Sequence, residues 1–104
     1  MNKIKVLVAE DEAAIREFII INLVRAGYDV VEAVDGQDAY EKYQLEADTI
    51  SIAVLDIMMP RMDGWQVCQE IRKQSSKPII MVTAKGETID KVLGLELGAD
   101  DFIV

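Results

Sequence analysis

Short apolar, β-branched runs alternate along the chain with longer segments of helical period. The first run is Ile4-Lys5-Val6-Leu7-Val8-Ala9. Helical spacing follows from about Glu12 to Ala26, and Gly27 is a natural residue to end it. Tyr28 to Ala33 reads as a second strand and Gly36 to about Ala47 as a second helix. A third strand is predicted over Ile50 to Leu55, then a helix from Asp63, a good capping residue, to about Lys73. Pro78 leads into a strand at Ile79 to Val82. Glu87 to about Leu97 is helical, Gly98 closes it, and Phe102-Ile103-Val104 begins a fifth strand.

Strand and helix alternating in this way predict an α/β fold with a parallel sheet covered by helices on both faces. The doubly wound, flavodoxin-like arrangement has strand order 2-1-3-4-5, here with the last helix missing. In such sheets functional residues collect at the carboxyl ends of the strands. The first strand ends in Glu10-Asp11-Glu12, the third in Asp56, and the fourth in Thr83-Ala84-Lys85. Strands 1, 3 and 4 are neighbours in that order, so Glu10, Asp11, Asp56 and Thr83 should converge.

The length, 104 residues, suits one domain spanning 1–104. With 51% hydrophobic and 29% charged residues, the composition is that of a folded globular chain. Apolar runs reach four residues, far short of the ~20 of a membrane span, and the start lacks a secretion signal. A single cysteine, Cys68, excludes an internal disulfide and fits a cytoplasmic location. The absence of histidine removes His-ligated zinc, Ser-His triads and a phosphohistidine carrier role. The net charge of −8 argues against direct nucleic-acid binding and suits a module that meets a cation or a basic partner.

Each acidic residue has a bland alternative: a solvated loop, a helix cap or a turn. Their joint position at adjacent strand ends is what points to chemistry. Clustered carboxylates repel unless a cation neutralises them. An oxygen-only set suits a hard ion, with Mg²⁺ the natural candidate, and Mg²⁺ commonly bridges carboxylates to a phosphate oxygen. An aspartate in such a place can accept a phosphoryl group as an acyl phosphate. A flavin-phosphate site is disfavoured because Glu10-Asp11-Glu12 repels phosphate, and no Gly-rich P-loop or GxGxxG occurs. A phosphatase of the haloacid dehalogenase type wants a second Asp two residues after the first, where Met58 stands.

Four segments, taken together, resemble a bacterial two-component response regulator receiver domain. They are Val6 to Glu12, Leu55-Asp56-Ile57-Met58-Met59-Pro60-Arg61-Met62-Asp63-Gly64, Pro78 to Ala84, and Gly98 to Val104. The wording of Lys91-Val92-Leu93-Gly94-Leu95-Glu96-Leu97 resembles the winged-helix transcription-factor branch, whose DNA-binding output domain is not in this chain. The resemblance implies a phosphorylation-dependent switch. Asp56 would be the phosphoacceptor, with a sensor histidine kinase as donor and partner. Asp11, Asp56 and the Met58 backbone carbonyl would bind Mg²⁺, and Glu10 would act directly or through water. Thr83 would hold a phosphoryl oxygen, and Phe102 would be the aromatic switch that follows it. Such a protein catalyses only its own phosphorylation. A phosphorylation-independent interaction module on the same fold is the alternative, disfavoured by the intact Asp11, Asp56 and Thr83.

The family continues past the position of Val104 with a lysine, a proline and a further helix, so the sequence reads as a fragment. The first helix is apolar over more than one stripe at Phe18-Ile19-Ile20-Ile21, the side that the fifth helix would cover. Self-association through that face is the expectation. Pro60 and Gly64 shape the turn after Asp56, and Val67, Cys68 and Ile71 read as core. Trp65 is expected near the pocket and partly exposed, and Lys85 reads as a loop lysine.

Overall fold

The computed structural model of the protein describes residues 4–82 and the backbone of residues 101–103. The elements run β1 (Lys5–Ala9), α1 (Ala13–Arg25), β2 (Asp29–Ala33), α2 (Gly36–Glu46), β3 (Ile50–Asp56), α3 (Gly64–Arg72), β4 (Ile79–Val82) and β5 (Asp101–Ile103). All strand pairs are parallel and the sheet order is β2-β1-β3-β4-β5, as the alternation predicted. The expected helix over 87–97, Thr83, Lys85, Val104 and the Phe102 side chain lie outside the described residues.

Local chemistry sets the element ends. Gly27, at φ 95°, follows the Ala26 cap and stops α1 in the left-handed region open to glycine. Asp63 caps α3 by a reciprocal pair: its Oδ1 accepts the Gln66 N–H and its own N–H reaches Gln66 Oε1, both at 2.9 Å.

Strand alternation divides the apolar residues between two faces. On one face Leu7, Ala9, Ala33, Ala53, Leu55, Ile79 and Met81 pack against Ala39 and Tyr43 of α2 and Val67, Cys68 and Ile71 of α3. This is the main core, and Cys68 sits in it as a small apolar residue. The other face carries α1 over Val6 and Val8, which are buried. Ile52, Val54, Ile80 and Val82, on that same face by alternation, are only half-buried. No residue of α1 is buried, and Phe18 is 70% exposed. Ile21 and Val24 are exposed too.

Candidate functional site

Glu10 follows β1 directly, where its N–H donates to the Ala33 carbonyl at 3.2 Å. Its own carbonyl accepts Arg16 Nη1 at 2.8 Å, so α1 braces the residue from behind. Arg16 in turn pairs with Glu32 at 2.6 Å. The Glu10 side chain points inward; it is the buried charged residue among those described, at 4% exposure. Its Oε2 accepts the Glu12 N–H at 3.2 Å. Asp56, half-buried, closes β3, and the Ile57 N–H beyond it is held by the Val82 carbonyl at 3.1 Å. Asp11 lies on the exposed rim. One carboxylate oxygen from each of Glu10, Asp11 and Asp56 lies within 4.8 Å of the others.

The acids perturb one another. Burial, and then the contact with Asp56, push the Glu10 carboxyl up to about 8. Burial also raises Asp56, and the charge of Asp11 adds to it, while hydrogen bonds from the Glu10 carboxyl and the Met58 N–H work the other way. Without a cation both carboxyls hold their protons more tightly than an ordinary carboxylate. The donor set is oxygen only, which fits a small hard dication such as Mg²⁺ and neither zinc nor a soft metal.

The loop over 57–63 shapes the rim. The Met59 N–H donates to the Ile57 carbonyl at 3.2 Å, Met62 to Pro60 at 2.9 Å, and Gly64 to Ile57 at 3.0 Å. Met58 is exposed at its crest, two residues beyond Asp56. Trp65 is half-buried against the core beside it, as expected. Thus Glu10, Asp11 and Asp56 are brought together as the sequence predicted, with Met58 adjoining.

The roles of three residues, Asp35, Gly36 and Arg61, escaped the sequence reading. Asp35 caps α2 by accepting the Asp38 N–H at 2.7 Å, and its Asp-Gly pair before a helical run was the available signal. Gly36 meets the 57–63 loop backbone closely, and Arg61 adopts φ 71°. Neither of these leaves a mark in local sequence.

The description that matches this chain is the response regulator receiver domain, over residues 6–104. The chain belongs to this family. It is 51% identical over 104 residues to a probable transcriptional regulator, ycf27, of Cyanophora paradoxa, covering 100% of this chain and 43% of that protein. It is 50% identical over 104 residues to the alkaline phosphatase synthesis transcriptional regulatory protein PhoP of Bacillus subtilis, covering 99% of this chain and 42% of that one. The chain therefore spans somewhat less than half the length of these relatives. Among solved structures, the CheX-CheY-BeF3-Mg²⁺ complex from Borrelia burgdorferi matches at TM-score 0.91 and 29% identity, over 97% of this chain and 77% of that one. Among the described residues of the receiver, no helix is long and apolar enough to cross a membrane.

Proposed function

We propose that this receiver domain is a phosphorylation-dependent switch that accepts a phosphoryl group on Asp56 from a sensor histidine kinase and controls a transcriptional output domain. The carrying observation is the convergence of the Glu10, Asp11 and Asp56 carboxylates within 4.8 Å at the carboxyl end of the sheet. That ycf27 and PhoP are called transcriptional regulators supports the nature of the output, as does the likeness of residues 91–97 to the winged-helix branch.

Asp11, Asp56 and the Met58 backbone carbonyl would hold Mg²⁺, with Glu10 acting directly or through water. When bound, the ion supplies positive charge against the crowded carboxylates and the incoming phosphoryl oxygens. The Asp56 carboxylate attacks phosphorus; a P–O bond forms as the P–N bond to the donor imidazole breaks. These 104 residues contain no histidine that could supply that imidazole. Thr83, the residue after β4, would hold a phosphoryl oxygen, and Phe102 of β5 would respond to it. The protein turns over no other substrate, and its place is the cytoplasm. The −8 charge disfavours direct contact between this domain and nucleic acid.

Phe18, Ile21 and Val24, large apolar residues left exposed along α1, support self-association through this helix. Sedimentation at micromolar concentration tests this, and a monomer at every concentration would refute it.

Acetyl phosphate with Mg²⁺ should add one phosphoryl mass to the chain, and Asp56→Asn should abolish the gain. Labelling of Asp56→Asn at the wild-type level would place the acceptor elsewhere.

A further inference from the structure

The β3–α3 loop over 57–63 is gripped from two sides by glycines. On one side, α2 begins at Gly36, which is buried and pressed against the Met62 backbone. A methyl group at Gly36 would overlap the Met62 carbonyl, a rigid backbone atom and not the end of a flexible side chain. On the other side, a methyl at Gly64 would collide with the Asp56 carbonyl and come within 2.8 Å of Met81 Cε. Between these grips lie Met58 and the chain leaving Asp56.

The Gly36 side is itself locked. Asp35 Oδ1 accepts the Asp38 N–H at 2.7 Å, and Asp38 Oδ2 accepts the Val34 N–H at 3.0 Å. These two bonds fix the corner that presents Gly36. The second Asp35 oxygen faces Arg61 Nε at 3.7 Å. Arg61 holds φ 71°, a left-handed conformation that side chains seldom adopt. A non-glycine residue stays there when its surroundings over-determine it.

We infer that Gly36, presented by the Asp35 corner, is a positioning residue: it sets the height of the 57–63 loop and thereby the placement of the Met58 carbonyl relative to Asp56. The inference rests on the function proposed above. The loop is short and pinned at Gly64, so a displacement at Met62 must be absorbed within it. Groups that orient metal ligands and reacting atoms act through such displacements, to which both metal affinity and transfer rate are sensitive.

The test compares Gly36→Ala with Ile50→Val, a buried substitution at the opposite end of β3 that lowers stability without touching the loop. Mg²⁺ binding is read from the emission of Trp65, the single tryptophan, and phosphoryl uptake from acetyl phosphate by mass at saturating Mg²⁺. Gly36→Ala should weaken Mg²⁺ binding by about tenfold and slow uptake, while Ile50→Val changes neither. Amide exchange at Met59 and Met62 should rise in Gly36→Ala beyond any rise in β1. A folded Gly36→Ala with wild-type Mg²⁺ affinity and uptake overturns the inference. If that variant does not fold, Asp35→Asn decides, because asparagine keeps the cap but loses the charge facing Arg61. It should speed exchange at Met62, and wild-type exchange there overturns the inference. A wild-type chain that binds no Mg²⁺ and takes no phosphoryl group defeats the proposed function instead. In that case loop exchange still reports whether Gly36 sets the loop.

Discussion

At the amino end of the sheet, charge is matched. Lys5 at the start of β1 bonds Glu46 at 3.0 Å and Thr49 at 3.4 Å. Lys77, just before β4, donates to the Ala47 carbonyl and, at 2.7 Å, to the Ile50 carbonyl. Arg72 folds back onto the Lys77 carbonyl at 2.6 Å. At the carboxyl end of the same strands, three acids crowd together and two of them are displaced from ordinary carboxylate behaviour. One end satisfies backbone carbonyls with cations; the other gathers like charges that only a proton or a cation can relieve. The difference separates stability from function within one sheet, since strain among polar groups concentrates where chemistry is done.

The largest expected effect that tests this contrast is pH. The folded Glu10 carboxyl sits at about 8 against 4.5 when unfolded. Between those values the unfolded chain has lost the proton and the folded chain retains it. Stability therefore falls as pH rises from about 4.5 to 8, and Asp56 contributes with the same sign. Urea unfolding in EDTA across this range should show the decline, and Glu10→Gln should flatten it. A stability that increases with pH would contradict the crowding.

Next is the matched end. Lys77→Met leaves the Ala47 and Ile50 carbonyls without their cation and should cost about 2 kcal/mol in the same assay. A smaller effect, opposite in sign, is expected at the crowded end. Asp56→Asn should stabilise the metal-free protein by about 1 kcal/mol at pH 8 by removing one like charge. Millimolar Mg²⁺ should raise the melting temperature of the wild type and leave Asp56→Asn nearly unmoved. Equal Mg²⁺ responses would remove Asp56 from the ion's ligands. The smallest change belongs to Lys5→Ala. Its ion pair with the half-exposed Glu46 is largely screened, so thermal unfolding should show a loss of about 0.5 kcal/mol or less.

Much of the site was legible because its residues stand next to apolar strands. Glu10 and Asp11 follow β1 and Asp56 ends β3, so the period-two pattern and the parallel order alone aimed them at one spot. Gly27 and Asp63 announced the end of α1 and the start of α3 by ordinary capping chemistry. Arg61 gave no warning, because its φ of 71° is imposed by what surrounds the loop and not by its own preference.

The sequence by itself determined the alternation of elements, the sheet order they imply and the acids at the strand ends, since each depends on periodicities and caps read over a few residues. Tertiary structure alone decided that Glu10 is buried deeply enough for its carboxyl to be pushed upward, that Lys77 reaches carbonyls of a segment 27 and 30 residues away, and that Gly36 meets the Met62 backbone. Desolvation and close approach depend on which distant segments arrive at a point, and local pattern carries no record of that arrival.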